Sequence, residues 1–241
     1  MNEIKHAFRQ LVLRPGLSAT VIVMLALGIG ATTAIFSLFY EVLLQSLPVP
    51  DPGRLVSLSV PGVKPGGGRT GLAVNNWDAA FSYPMFRDLE AKQQVFTGVA
   101  AHYDFLVSIG SGDRATFGGG TLVSGRYFDV LGVRPALGRL IGPQDEPSVG
   151  ESEVAVLSYD YWQRQYGGDP GVVNKTLPIN GRNLTIVGVA AKGFDGAMLG
   201  WNPQVYVPLT MRWLMQPEEP RNDENRFSYW VYILARLKPD V

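Results

Sequence analysis

The chain contains no cysteine, which excludes disulfide frameworks, thiolate nucleophiles and cysteine-ligated zinc. Histidine is almost as scarce. His6 and His102 are the only two, so imidazole metal sites and Ser/His catalysis have little to be built from. Excess charge of either sign is also missing, since 21 Lys+Arg balance 21 Asp+Glu for a formal net charge of +0. Without a basic stripe and interleaved aromatics, no nucleic-acid partner is expected. Charged residues make up only 17% of the chain, against roughly 25% in ordinary soluble domains. The shortage is concentrated near the N-terminus.

From Leu17 to Tyr40 the sequence reads LSATVIVMLALGIGATTAIFSLFY, 24 residues without a charge. At about 1.5 Å per residue this helix would be roughly 36 Å long, enough to cross a hydrocarbon core with some tilt. A cleaved signal peptide would have a shorter apolar region and a small-x-small site, and Phe39-Tyr40-Glu41 offers none. A buried core helix is the third reading. Lys5, Arg9 and Arg14 precede the span against Glu3 alone, whereas Arg54 is the only basic residue in the twenty after Tyr40. The positive-inside bias therefore predicts a cytoplasmic N-terminus and an extracytoplasmic remainder.

Ile4, Ala7, Phe8, Leu11 and Val12 form one apolar helical face flanked by Lys5 and Arg9, and Pro15-Gly16 is expected to break that helix. Two readings stay open: an in-plane helix on the cytoplasmic leaflet, or a basic topology signal that happens to be amphipathic. Within the span, Ala26, Gly30 and Ala34 recur every fourth residue, with Gly28 and Thr32 beside them. Small residues at this spacing let a second helix approach closely. The Gly28-Ile29-Gly30 glycines are not a nucleotide motif, because no strand precedes them and the third glycine position is Thr33.

Beyond the span, Pro48, Pro50, Pro52 and Gly53 make a stiff linker, followed by a strand over 55–60 and a glycine-rich loop, 61–71, that lacks the order of a phosphate-binding loop. A helix capped by Ser82 is expected to run to about Phe96, with Phe86, Leu89 and Phe96 on one face. An apolar stretch over Phe105–Ile109 and a strand near Ala115–Val123 follow. Ser124 is expected to cap a short helix bearing Tyr127, Phe128 and Leu131 that Gly132 ends, and Val133–Arg139 reads as an extended loop. A strand over 153–158 leads into a helix with Tyr159, Trp162 and Tyr166 on one face. Two alternating runs then meet at Asn180-Gly181, a type I′ hairpin signal, and Pro178 puts the first of them at a sheet edge. Further strands are expected over Val205–Leu209 and Ser228–Leu237. Mixed strands and short helices without regular βα alternation predict an α+β extracytoplasmic domain anchored by one N-terminal transmembrane helix.

No catalytic constellation emerges. Asp145-Glu146 and Glu151/Glu153 are adjacent carboxylates in a Pro/Gly loop and read as solvated, His102 lacks a second extracytoplasmic histidine, and Trp201 and Trp230 read as packing residues. Neither cofactor nor metal is expected.

ALGIGATTAIFSLFYEVLLQSLPVPDPGRLV, beginning at Ala26, resembles the first span of MacB-type, FtsX-like ABC transporter permeases. Ser82–Leu89 (SYPMFRDL), Val123–Arg139 (VSGRYFDVLGVRPALGR), Val154–Pro170 (VAVLSYDYWQRQYGGDP) and Ile179–Val189 (INGRNLTIVGV) are similar to that family's periplasmic core domain, in order and over most of the chain. The resemblance implies a permease component, not an enzyme, in the bacterial inner membrane, with ATP hydrolysis left to a separate cytoplasmic ABC ATPase. It implies that the periplasmic domain moves with ATP state by mechanotransmission and handles substrate outside the bilayer, with a periplasmic adaptor as a possible further partner. Under it, Ala26, Gly30 and Ala34 pack against other permease helices or a second protomer, and Lys5, Phe8 and Arg9 lie near the membrane face where the ATPase docks. The expected organisation is a cytoplasmic amphipathic segment 1–16, a transmembrane helix 17–44, a linker 45–54 and a periplasmic core domain 55–241. Such permeases carry four spans per repeat, three of them after the periplasmic domain, so a C-terminally incomplete permease fragment is also expected. The competing function is a single-pass anchored binding or sensing domain that acts alone.

Overall fold

The computed structural model describes residues 15–39, 49–62, 64–65, 77–110, 112, 115–146, 148, 150–219, 221 and 223–239. The chain divides into two units, 1–46 and 47–241. The amphipathic reading of 1–14, with Lys5, Phe8 and Arg9, and the part of the span after Phe39 lie outside the described residues.

In the first unit, Pro15–Phe39 form one helix, α1. Pro15 and Gly16 make the first described turn of this helix, where a missing N–H costs nothing, and the segment they were expected to separate from the span lies outside the described residues. Ser18–Ser37 is apolar enough to cross a membrane, with a mean hydropathy of 2.1 and none of it buried within the chain. At about 1.5 Å per residue, those 20 residues span about 30 Å. The threonines do not offer stray donors to this surface. Thr20, Thr32 and Thr33 donate their hydroxyls to the carbonyls of Gly16, Gly28 and Ile29 at 2.8–3.0 Å, as a helix in hydrocarbon requires.

The second unit is built on one ten-stranded mixed sheet. Its strands are Leu55–Ser57 (β1), Ala80–Ser82 (β2), Phe96–Ile109 (β3), Thr116–Val123 (β4), Pro135–Gly138 (β5), Val154–Leu157 (β6), Thr176–Ile179 (β7), Arg182–Ala190 (β8), Pro203–Pro208 (β9) and Tyr229–Leu237 (β10). They run in the order β1-β10-β3-β4-β9-β6-β8-β5, with β2 also on β10 and β7 joining β3 to β8. Only β4/β9 and β6/β8 are parallel. Among the described residues, four α-helices accompany the sheet: Tyr83–Lys92 (α2), Tyr127–Leu131 (α3), Tyr159–Tyr166 (α4) and Arg212–Met215 (α5).

Strand β3 is buried on both sides from Gly98 to Phe105. Val99, Ala101, Tyr103, Phe105, Val107 and Ile109 enter one core with Phe86 of α2, Tyr161 of α4 and Trp230. Ala100 turns to a second core with Tyr127, Phe128 and Leu131 of α3, Phe194 and Tyr206. Tyr127, Phe128, Phe194 and Tyr206 interlock there at ring separations of 5.3–6.5 Å.

Several boundaries differ from expectation. The Ser82-capped helix ends at Lys92, because Gln93 turns extended and its side chain accepts from the Phe96 amide (2.8 Å), so Phe96 opens β3. Ser124 does not cap α3 with its side chain. Its Oγ crosses to the Ala101 amide (2.9 Å), and its carbonyl accepts from Tyr127 N. Within the loop expected over Val133–Arg139, Pro135–Gly138 pair with β8 as the edge strand. The first strand stops at Ser57. The hairpin is as expected: Asn180 and Gly181 take φ of 46° and 75°, both positive as a type I′ turn demands.

Candidate functional site

On α1, the three small residues of the sequence pattern are all exposed, and beyond the helix's own neighbouring backbone nothing lies within 4 Å of the Cβ position of Gly28 or Gly30. At about 100° per residue, Ala19, Ala26, Gly30, Thr33 and Ser37 lie within about 60° of one another and Val23 beside them. Ala34 falls about 80° from Ala26, at the edge of this stripe. The flattest seam therefore follows a seven-residue repeat through Ala26 and Gly30 and continues through Thr33, whose hydroxyl is folded back onto the helix.

In the second unit, one face of the β3/β4 pair changes character along its length. The register sets His102 against Val123, Asp104 against Thr121, Leu106 against Gly119 and Ser108 against Phe117 on that face. At the α3 end the face is covered, since Ala100 and Val123 are buried with Tyr127. Next comes a buried polar band. Thr121 donates to Asp104 (2.7 Å), and His102 Nδ1 lies 4.0 Å from the other Asp104 oxygen. Burial pushes the His102 imidazole down and the Asp104 carboxyl up. Farther out the cover ends: Leu106 is 59% and Phe117 83% exposed.

The glycine run Gly118-Gly119-Gly120 shapes this outer end. A Cβ on Gly119 would stand 3.0 Å from the Trp201 ring, and one on Gly120 would stand 2.8 Å from the ring of Phe105 on the opposite face. Trp201 thus lies flat on the strand and donates its indole N–H to the Gly120 carbonyl (3.3 Å). Leu106, Phe117 and Trp201 make an apolar outer surface that the sequence reading missed. The expected strand near Ala115–Val123 holds Phe117 and the three glycines, but only the cross-strand register shows that Phe117 and Leu106 share a face.

The acidic loop is only half as expected. Glu151 and Glu153 are exposed, whereas Asp145 is buried and held bidentately by Arg139 at 2.6 and 2.8 Å, with Gly142 N donating as well. Glu146 accepts from Gly125 N (2.6 Å), and burial, helped by Glu90, pushes its carboxyl up to about 7. The local reason is the 3-10 turn Pro143–Asp145, which folds both side chains inward. Trp230 is core, stacked on Tyr83 and crossed by the Arg212 guanidinium at 4.3 Å. Among the described residues, no group of three or more His, Asp or Glu side chains could hold a metal ion. Among the described residues, the apolar helix and the outer β3/β4 face both expose large hydrophobic side chains.

The structure resembles the periplasmic region of MacB from Actinobacillus actinomycetemcomitans, at 18% identity and a TM-score of 0.52. That likeness covers 67% of this chain and 66% of the other, just under two thirds of its length. It also resembles the extracellular domain of the noncanonic ABC-type transporter YknZ from Gram-positive bacteria. There the identity is 16% and the TM-score 0.51, over 77% of this chain and 85% of the other. At these identities the likeness is one of fold. No curated protein sequence matches the chain. The family described as MacB-like periplasmic core domain matches residues 18–241, from the apolar helix through the last strand, and the chain therefore belongs to that family.

Proposed function

We propose that this chain is a permease component of an ABC transporter, in which α1 crosses the inner membrane and the sheet domain works on the extracytoplasmic side. The observation that carries this reading is the continuity of the family match across both units, so that an apolar helix and a periplasmic-type fold occur in one chain. Energy then comes from a separate cytoplasmic ATPase, near which Lys5, Phe8 and Arg9 would lie. The stripe through Ala26 and Gly30, with Ala34 at its edge, packs against other permease helices or a second protomer. Mechanotransmission follows as the mode of action, and the exposed Leu106/Phe117/Trp201 surface is where an extracytoplasmic adaptor or substrate is met.

Mild-detergent purification of the tagged full chain from its native cells tests this. An ABC ATPase should co-purify in at least one nucleotide state, ATP-bound or nucleotide-free. A monomer with no ATPase under either condition would favour the anchored binding domain that acts alone.

A further inference from the structure

The polypeptide arriving at the sheet domain and the strand by which it leaves lie side by side. β1 and β10 are antiparallel, with Leu55 against Arg236 and Ser57 against Leu234, so residues before 55 and after 236 emerge at the same end of the pair. Such a pair is loaded unfavourably if its two connections are drawn apart, because cross-strand hydrogen bonds then break one after another instead of sharing the load.

Two arginines occupy that end. Arg236 donates from Nε to the Val130 carbonyl at the end of α3 (2.6 Å), and from one terminal nitrogen to the carbonyls of Pro50 (3.0 Å) and Asp51 (3.2 Å). Arg54 reaches the other way, donating to the Leu237 carbonyl (2.5 Å). The arriving segment is shaped to receive them. Asp51 takes a left-handed φ of 47°, and its carbonyl also accepts from Arg54 N. Val49 is buried with Val130 and Leu131, and the space a side chain on Gly132 would need is taken by Pro50, 3.2 Å from its Cβ position. The outgoing strand is pinned from its other side by Thr97, whose hydroxyl donates to the Arg236 carbonyl (2.9 Å).

We propose that Arg236 and Arg54 form a clasp that fastens residues 49–54 to β10 and α3, so that the incoming segment and the outgoing strand move as one body. The acceptors are all backbone carbonyls, which do not titrate, and a planar guanidinium reaches several of them at once where an ammonium would reach fewer. In the transporter reading above, on which its use rests, displacement of the membrane connections would pass into the sheet through this joint instead of peeling β1 away.

The test uses the full chain in lipid nanodiscs without ATPase or nucleotide, so its outcome is separate from that of the co-purification. Hydrogen exchange of residues 49–57 should quicken by about tenfold or more in Arg236→Ala, while β3/β4 and β6/β8 keep their protection. Arg236→Lys and Arg54→Ala should show the same local loss to a smaller degree, and they carry the test if Arg236→Ala does not fold. Spin labels at Gly53→Cys and Lys238→Cys should give a narrow distance distribution that broadens in the same variants. Unchanged exchange at 49–57, or an equal loss of protection across the sheet, would overturn the clasp.

Discussion

At Glu146 the fold raises the proton affinity of a carboxyl without giving it a reaction to perform. Its folded value of about 7 lies above the ordinary value of about 4.3 expected when unfolded. Between these pH values the folded chain binds more protons than the unfolded one, so this group's contribution falls as pH rises from about 4.3 to about 7. Glu146→Gln keeps an acceptor for Gly125 N and removes the ionisation. Thermal unfolding should show this variant more stable than the parent at pH 8, by about 3 kcal/mol, and little different at pH 4. Equal pH dependence in both would contradict the assignment. The sequence showed the Asp145-Glu146 pair but not its burial, which depends on Arg139 and Gly125 arriving from elsewhere in the chain. By contrast, the cap at Ser82 and the turn at Asn180-Gly181 are local, and they stand where the sequence placed them.

Among the elements, the β3/β4 pair depends on glycine for its packing. Gly120→Ala would push a methyl to 2.8 Å from the Phe105 ring, costing about 1–3 kcal/mol in denaturant unfolding. Phe105→Ala introduced with it should cost less than the sum of the two single changes, since the clash disappears with the ring. Strict additivity would mean that the two side chains do not meet. This pairing was not legible in the sequence, because the alternation of Tyr103, Phe105, Val107 and Ile109 with His102, Asp104 and Ser108 marks a strand but does not say which strand lies beside it. Helix α1 was legible for the opposite reason: 20 apolar residues define a membrane-length helix whatever surrounds them. At Gly30, exchange for Ile should weaken helix association measured by cross-linking in membranes, while the same change at Gly28, about 160° around the helix from both Ala26 and Gly30, should not. Equal loss at both positions would remove the small-residue seam from the account.

On the scale of the whole molecule, the chain carries an apolar helix and a sheet domain whose first and last strands have their outer ends side by side, with an uncovered apolar face elsewhere on the sheet. The family and the fold class were within reach of the sequence, through ordered motifs and a charge-free run. The outer Leu106/Phe117 surface and the Arg54/Arg236 clasp were not, because each forms only when residues far apart in the chain are paired by the sheet. The claim on which the rest depends is that the sheet domain lies outside the cytoplasm. With no native cysteine, single cysteines can be placed at will. A membrane-impermeant maleimide added to intact spheroplasts should label Lys192→Cys, on the exposed surface of the domain, and should label Asn2→Cys only after lysis. Labelling of Asn2→Cys in intact spheroplasts, with Lys192→Cys protected until lysis, would contradict the account.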